Sequence, residues 1–173
     1  MARAEQVDAD APDLAEAPGF AAWVRPHWPS MAHFAMRMCG GDWEDVLQEA
    51  LAVAWRKRAR FDERRGSARA WLLALTADQA RKWRRRALRR PDIRELAAPE
   101  DVASDPAPQH DLDIEVALRQ LTLRQRLAVE LHYYLGLPVA EAAEVMGCSA
   151  GTVKSTLADA RAHLRDMLGD DFR

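Results

Sequence analysis

The sequence predicts an all-α protein built from two small helical domains, an N-terminal helical bundle and a C-terminal four-helix domain containing a helix-turn-helix, joined by a flexible linker. Three observations lead there. Ala, Leu and Arg dominate while strand-forming residues are sparse, which favours helix throughout. Apolar residues recur at helical spacing in blocks on either side of residues 91–111. That interval itself carries four prolines and six acidic side chains against one Arg, a composition that does not build a core. A chain of 173 residues can hold one medium domain or two small ones.

Charge divides the chain further. The net charge is −2 overall, yet residues 20–90 carry sixteen basic and seven acidic side chains, whereas residues 1–19 carry one and five. A basic block between acidic flanks suggests a module that binds a polyanion. Residues 121–173, with six basic and seven acidic side chains, are nearly neutral, weak for a free DNA binder. The two cysteines, Cys39 and Cys148, are too far apart in sequence to suggest a disulfide framework, and the five histidines show no ligand spacing. The expectation is a reduced, cytoplasmic protein with no metal and no cofactor. No stretch has the length of a membrane span, and the N-terminus lacks a basic start followed by an apolar run.

Residues 1–19 are small, acidic and proline-containing, and are expected to form a disordered acidic tail. Pro26 and Pro29 interrupt the next segment, so a short helical turn precedes a helix of about three turns that ends at Gly40-Gly41. Asp42 is the expected cap of a helix running to about residue 59, with Val46, Leu47, Ala50, Leu51, Ala54 and Trp55 as its apolar stripe. Its early acids, Glu44, Asp45 and Glu49, suit the positive end of a helix dipole. Residues 57–69 read as a charged loop with Phe61 as an apolar anchor. Ser67 caps a long helix to about residue 90. Seven of its last ten side chains, among them Arg81, Lys82, Arg84 and Arg85, are cationic, with Trp83 inside the run. So many like charges on one helix are costly unless an anion is near, and an aromatic among cations suits a stacked base.

After the linker, Leu112, Val116, Leu118 and Leu121 give the inward face of a helix. Thr122 and Gln125 fit a capping box. Leu127, Val129, Leu131 and Tyr134 are expected to pack beneath the last two helices, and Gly136 to end the helix that carries them. Pro138 suits a helix start, Gly147 a helix stop and Ser149 the next N-cap. Val153, Leu157, Ala160 and Leu164 form the stripe of the final helix. Two helices separated by so short a turn read as a helix-turn-helix, whose second helix enters the DNA major groove by its N-terminal end, with an ordinary helical hairpin as the alternative on these residues alone. Ser149, Thr152, Lys154, Ser155 and Thr156 are expected to be exposed at that end, with Arg161 and Arg165 further along, nearer phosphates than bases.

The wording "EAAEVMGCSAGTVKSTLADARAHLR", preceded by "LTLRQRLAVELHYYLGLPVAEAA", resembles the promoter-reading domain of bacterial sigma factors, most nearly the short extracytoplasmic-function (ECF) type of the sigma-70 family. "DWEDVLQEALAVAWR" resembles the segment with which those factors dock on the clamp helices of RNA polymerase. The resemblance implies a sigma factor that binds core RNA polymerase and directs promoter-specific initiation. It places core contacts at Asp45, Gln48 and Glu49. It places minus-ten DNA contacts at Arg64, Arg65, Trp71, Arg81, Lys82, Trp83, Arg84 and Arg85, and minus-thirty-five contacts at Ser149, Thr152, Lys154, Ser155, Thr156 and Arg161. The implied domains are residues 20–90 and 112–169, joined by 91–111. An anti-sigma factor is the further partner it implies. The chain departs from the family wording at Asp78, Lys82 and Ala68, and again at Thr156 and Asp159, where relatives frequently carry Arg.

The residues alone supply no nucleophile motif, phosphate-binding glycine loop or metal-spaced ligand set, so the protein is read as a binding protein rather than an enzyme. The competing reading is a dimeric helix-turn-helix transcriptional regulator, which would use the C-terminal domain but leave "EDVLQEALAVAWR" and the basic helix unassigned. The C-terminal domain is expected to bind promoters poorly on its own.

Overall fold

The computed structural model describes residues 14–89 and 109–168. The acidic tail up to residue 13 and the linker core at 90–108 lie outside the described residues. Every regular element among the described residues is helical.

Helix α1 (Ala17–Val24) carries Pro18 in its first turn and buries Phe20, Trp23 and Val24. The tail expectation therefore stops short of residue 19: the last three residues of that stretch are helical. A 3-10 turn at Arg25–His27 leads into α2 (Trp28–Cys39), with Pro26 and Pro29 each in a first turn, where no N–H is needed. Gly40, at φ 61°, ends α2, a conformation in which a Cβ would be strained. Helix α3 (Trp43–Lys57) buries Val46, Leu47, Ala50, Val53 and Ala54. Asp42 precedes it but makes no cap; its Oδ2 instead accepts a hydrogen bond from Trp83 Nε1 at 3.0 Å. Helix α4 (Ala68–Ala87) is capped by Ser67, whose Oγ accepts from Ala70 N at 3.1 Å.

Met31, Phe34, Leu47, Leu72, Leu73 and Thr76 are fully buried where α2, α3 and α4 meet. One wall of this bundle is aromatic. Phe61 sits 5.0 Å from Trp23 and 5.6 Å from Trp71 between ring centroids, and Phe20 meets Trp55 edge-on at 5.2 Å. The loop of residues 58–67 is thereby pinned to the core by Phe61.

The second half comprises α5 (Gln109–Gln120), α6 (Leu123–Val129), α7 (Val139–Met146) and α8 (Ala150–Leu168). Thr122 and Gln125 form the capping box: Thr122 Oγ1 accepts from Gln125 N, and Gln125 Oε1 accepts from Thr122 N. The helix expected to run on to Gly136 changes character at Glu130. Residues Glu130–Tyr134 form a π-helix, closed by Leu135 N donating to Glu130 O at 2.9 Å. Two expected core residues are outside: Val116 is 53% exposed and Tyr134 46%. Gly147 at φ 65° closes α7, and Ser149 Oγ accepts from Thr152 N at 3.1 Å to open α8. Ala142, Ala143 and Val145 of α7 pack on Val153, Leu157 and Ala160 of α8.

The two halves touch. Their buried apolar residues belong to one continuous cluster. Helix α7 lies along α4, and Phe34, Met38, Ala77 and Ala80 face Leu123 and Leu127 across a shallow cleft. A polar cluster flanks this contact. Arg37 Nε donates to Glu130 Oε1 at 2.8 Å and Arg37 Nη1 to Glu115, while Arg126 Nη2 donates to the Arg37 carbonyl. Burial alone would lower the pKa of Arg37, but Glu130 and Glu115 outweigh it and hold the guanidinium above its ordinary value. Arg126, buried with a smaller share of that stabilisation, is lowered.

Candidate nucleic-acid interface

Three exposed surfaces carry the residues singled out from sequence. The first is on α3. Asp45, Gln48 and Glu49 stand at helical spacing on one edge, all exposed, opposite the buried Val46, Leu47 and Ala50. Nothing in the core requires them, so the edge is free to meet a basic surface.

The second runs from the 58–67 loop along α4. Asp62 binds Arg64 through both carboxylate oxygens, at 3.0 and 3.2 Å, and also accepts its backbone N–H. The Arg64 guanidinium holds the Asp62 carboxyl below its usual range. Arg64 is thus pre-oriented but largely solvated, and Arg65 is exposed beside it. Trp71 is half-buried in the aromatic wall, so it supports the loop and offers only part of its ring to a ligand. At the far end of α4, Lys82 Nζ lies 2.8 Å from Asp78 and Arg81 4.0 Å from the same carboxylate. Burial pushes the Asp78 carboxyl up, but Lys82 and Arg81 outweigh it and the group is lowered. Trp83 is tied to Asp42, and Arg84 lines the cleft under α6. Arg85, Arg86 and Arg89 project into solvent. The loop arginines and this basic end are not one patch: α4 spans roughly 30 Å between them. They could hold separate stretches of one strand, not a single phosphate.

The third surface is the leading end of α8. Ser149, Lys154 and Ser155 are exposed and Thr152 half so. The Ser149 and Thr152 hydroxyls share a hydrogen bond at 2.9 Å. Thr156 does not belong to this surface. It is only 7% exposed, and its Oγ1 donates to Thr152 O at 2.8 Å, inside the helix. Arg161 is exposed further along, near the Tyr133 hydroxyl at 3.5 Å.

Sequence reasoning did not find Arg37, Glu130 or Arg69. Arg69 donates to Leu135 O at 2.7 Å and to Ser30 Oγ at 3.2 Å, tying the two halves together. No local pattern marks such residues, because their partners are distant in sequence.

Family models match both halves in order: "Sigma-70 region 2" over residues 23–90 and "Sigma-70, region 4" over residues 111–164. Among curated proteins, the ECF RNA polymerase sigma factor SigK of Mycobacterium tuberculosis is 34% identical over 133 residues, covering 72% of this chain and 71% of SigK. The chain belongs to the sigma-70 family. The M. tuberculosis ECF sigma factor SigC is 35% identical over 137 residues, covering 76% of this chain and 74% of its own. Among solved structures, the sigma factor RpoE of Bartonella quintana, in complex with the anti-sigma factor NepR, has a TM-score of 0.73 at 28% identity, covering 88% of this chain and 98% of RpoE. CnrH, in complex with the cytosolic domain of CnrY, has a TM-score of 0.66 at 26% identity, covering 90% and 91%.

The chain is accordingly an ECF-type sigma factor, a promoter-directing transcription initiation factor. The region 2 match takes in the α3 segment and basic helix that a dimeric regulator would leave unassigned, so that reading is not favoured. Sigma factors work by binding rather than catalysis. Among the described residues, no helix is long and apolar enough to cross a membrane.

Proposed function

We propose that this sigma factor divides its work between its two matched regions, with residues 20–90 as the first domain, 91–111 as linker and 112–169 as the second. The edge formed by Asp45, Gln48 and Glu49 docks on a basic surface of core RNA polymerase, where exposed carboxylates make charge-assisted bonds. The loop with Arg64 and Arg65, supported by Trp71, and the basic α4 end with Arg81, Lys82, Trp83, Arg84 and Arg85 hold the unpaired minus-ten strand. Base–aromatic stacking contributes roughly 1–3 kcal/mol per base at such sites. The leading end of α8, through Ser149, Thr152, Lys154 and Ser155, enters the minus-thirty-five major groove, and Arg161 meets phosphate. Thr156 drops out of that set because it is buried.

The order of the two region matches carries the reading, since it joins a polymerase-docking module to a groove-reading one in a single chain. RpoE and CnrH each stand in complex with another protein, NepR and the cytosolic domain of CnrY. An anti-sigma factor is therefore a partner for this chain too, and the cytoplasm its place of work. Neither a cofactor nor a catalytic step enters the proposed mechanism. The test is start-site-specific transcription from genomic fragments by purified protein and bacterial core polymerase. Transcription that survives Asp45→Ala and Glu49→Ala together, with undiminished core binding, would remove the docking role of the α3 edge.

A further inference from the structure

Between Ala68 and Ala87, helix α4 carries six cations and a single acid, Asp78. Trp71, Leu75, Asp78, Lys82 and Arg85 follow at three- and four-residue spacing, so they share one face, and all five reach solvent at least in part. This face is not the one turned to the second half, where Ala77, Ala80 and Arg84 line the cleft with Leu123 and Leu127. Lys57, at the end of α3, is near enough to act on the Asp78 charge. A carboxylate on a surface that holds nucleic acid repels phosphate, and its bridge to Lys82 withdraws a cation from the strand. The part of a strand that a carboxylate can hold is a base.

Asp78 and Lys82 form a compact polar pair. Lys82 Nζ lies 2.8 Å from Asp78 Oδ2, Arg81 Nη2 lies 4.0 Å from Oδ1, and the Asp78 and Lys82 side chains are each 42% exposed. Burial pushes the Asp78 carboxyl up, but Lys82 and Arg81 hold it below its ordinary value. At neutral pH it is therefore ionised and can only accept, with lone pairs to spare on both oxygens. Unpaired bases are read along their Watson–Crick edges. On that edge guanine has two adjacent donors, N1–H and N2–H, beside one acceptor, O6. The two carboxylate oxygens match the donors and the ammonium matches O6, a bidentate contact of the strong, charge-assisted kind. Adenine and cytosine each offer one amino group beside a ring-nitrogen acceptor. Thymine offers one N–H between two carbonyls that repel a carboxylate.

We propose that Asp78 and Lys82 together read an unpaired guanine in the promoter strand, with Asp78 setting the choice of base. The proposal rests on the assignment of α4 to the minus-ten strand. Leu75 and the exposed part of Trp71, on the same face, give the strand an apolar floor just ahead of the pair.

The experiment uses holoenzyme assembled from the full chain and core polymerase. The DNA is a genomic fragment with a mapped start site, its non-template bases around the minus-ten position randomised and held unpaired by a mismatched template strand. Bound DNA is sequenced for the wild type, Asp78→Asn and Asp78→Ala. The wild type is expected to prefer guanine at one unpaired position by at least about fivefold, the low end for a bidentate base contact. Inosine at that position keeps N1–H and O6 but lacks the N2 amino group, and should also lose at least about fivefold. In contrast, 7-deazaguanine keeps the whole Watson–Crick edge and should bind as guanine does. Both variants should lose the guanine preference there and keep the preferences at other positions, since Asn turns one acceptor into a donor and Ala removes both. An ion pair that merely braces the helix predicts a loss spread evenly over all sequences. That result, a guanine preference kept by both variants, or inosine accepted as well as guanine overturns the proposal; the inosine comparison needs no variant. A wild type that selects no base at any unpaired position would sink the α4 assignment as well, whereas selection indifferent to Asp78 would sink the guanine contact alone.

Discussion

Replacing Phe61 tests whether the loop that carries Arg64 and Arg65 is held by the aromatic wall. Full removal of a buried Phe side chain costs about 3–5 kcal/mol. Phe61 is half-buried, which reduces that figure. Its ring contacts with Trp23 and Trp71, at 5.0 and 5.6 Å, each add about 0.5–1.5 kcal/mol beyond burial. A net loss of ~2–3 kcal/mol is expected for Phe61→Ala, and about 1 kcal/mol for Phe61→Leu, which keeps volume but not the ring. With roughly 4 °C of melting temperature per kcal/mol for a body of this size, Phe61→Ala should melt ~10 °C lower. The assay is thermal unfolding followed by circular dichroism. Binding to core polymerase should be retained, because the α3 edge is untouched, while promoter opening should weaken with the loosened loop. A melting temperature within about 2 °C of wild type would refute the reasoning. It would mean that the loop is not anchored by Phe61.

Three further outcomes are expected. Thr122→Ala removes half of the capping box and should cost about 1 kcal/mol, read by urea unfolding. Gly147→Ala places a Cβ at φ 65° and should also cost about 1 kcal/mol, with a matching loss of α8 protection in hydrogen exchange. Burial, with Asp42 nearby, pushes the Cys39 thiol from 9.0 up to about 12. A thiol-directed disulfide reagent at pH 8 should therefore modify the partly exposed Cys148 quickly and Cys39 only as the protein unfolds. The same shift has a sign for stability. Between pH 9 and about 12 the folded state keeps a proton that the unfolded state has released, so stability falls as pH rises through that window. Denaturant midpoints measured across it, for wild type and Cys39→Ala, check the contribution.

Local rules carried much of the fold. The Thr122–Gln125 box, the Ser67 and Ser149 caps and the Gly147 stop all depend on residues at most a turn apart, so their spacing in the sequence is enough to place them. What the sequence hid was long-range. Asp42 has the position and chemistry of an N-cap, but a bond to Trp83, forty-one residues away, takes its carboxylate instead. Thr156 reads as one more hydroxyl on a polar helix start, yet the rotation of α8 against the core turns it inward. The π-helix leaves no mark in the apolar spacing of residues 123–135. Only the meeting of Glu130 with Arg37, ninety-three positions earlier, accounts for which way its carboxylate faces. Of the three surfaces, the α3 edge was readable as a face because its buried complement, Val46, Leu47 and Ala50, was readable as a stripe.

The placement of the ring-bearing residues gives the molecule a built-in optical ruler. All six tryptophans fall between residues 23 and 83, and both tyrosines, Tyr133 and Tyr134, sit in the π-helix of the other half. Tyr134 is close enough to the first half for its ring to lie 6.3 Å from His33. Excitation absorbed by the tyrosines can therefore reappear as tryptophan emission only while the halves remain near each other. Separation on core enzyme, on DNA or under a regulator's grip would be visible in the unlabelled protein as a change in how that light is shared.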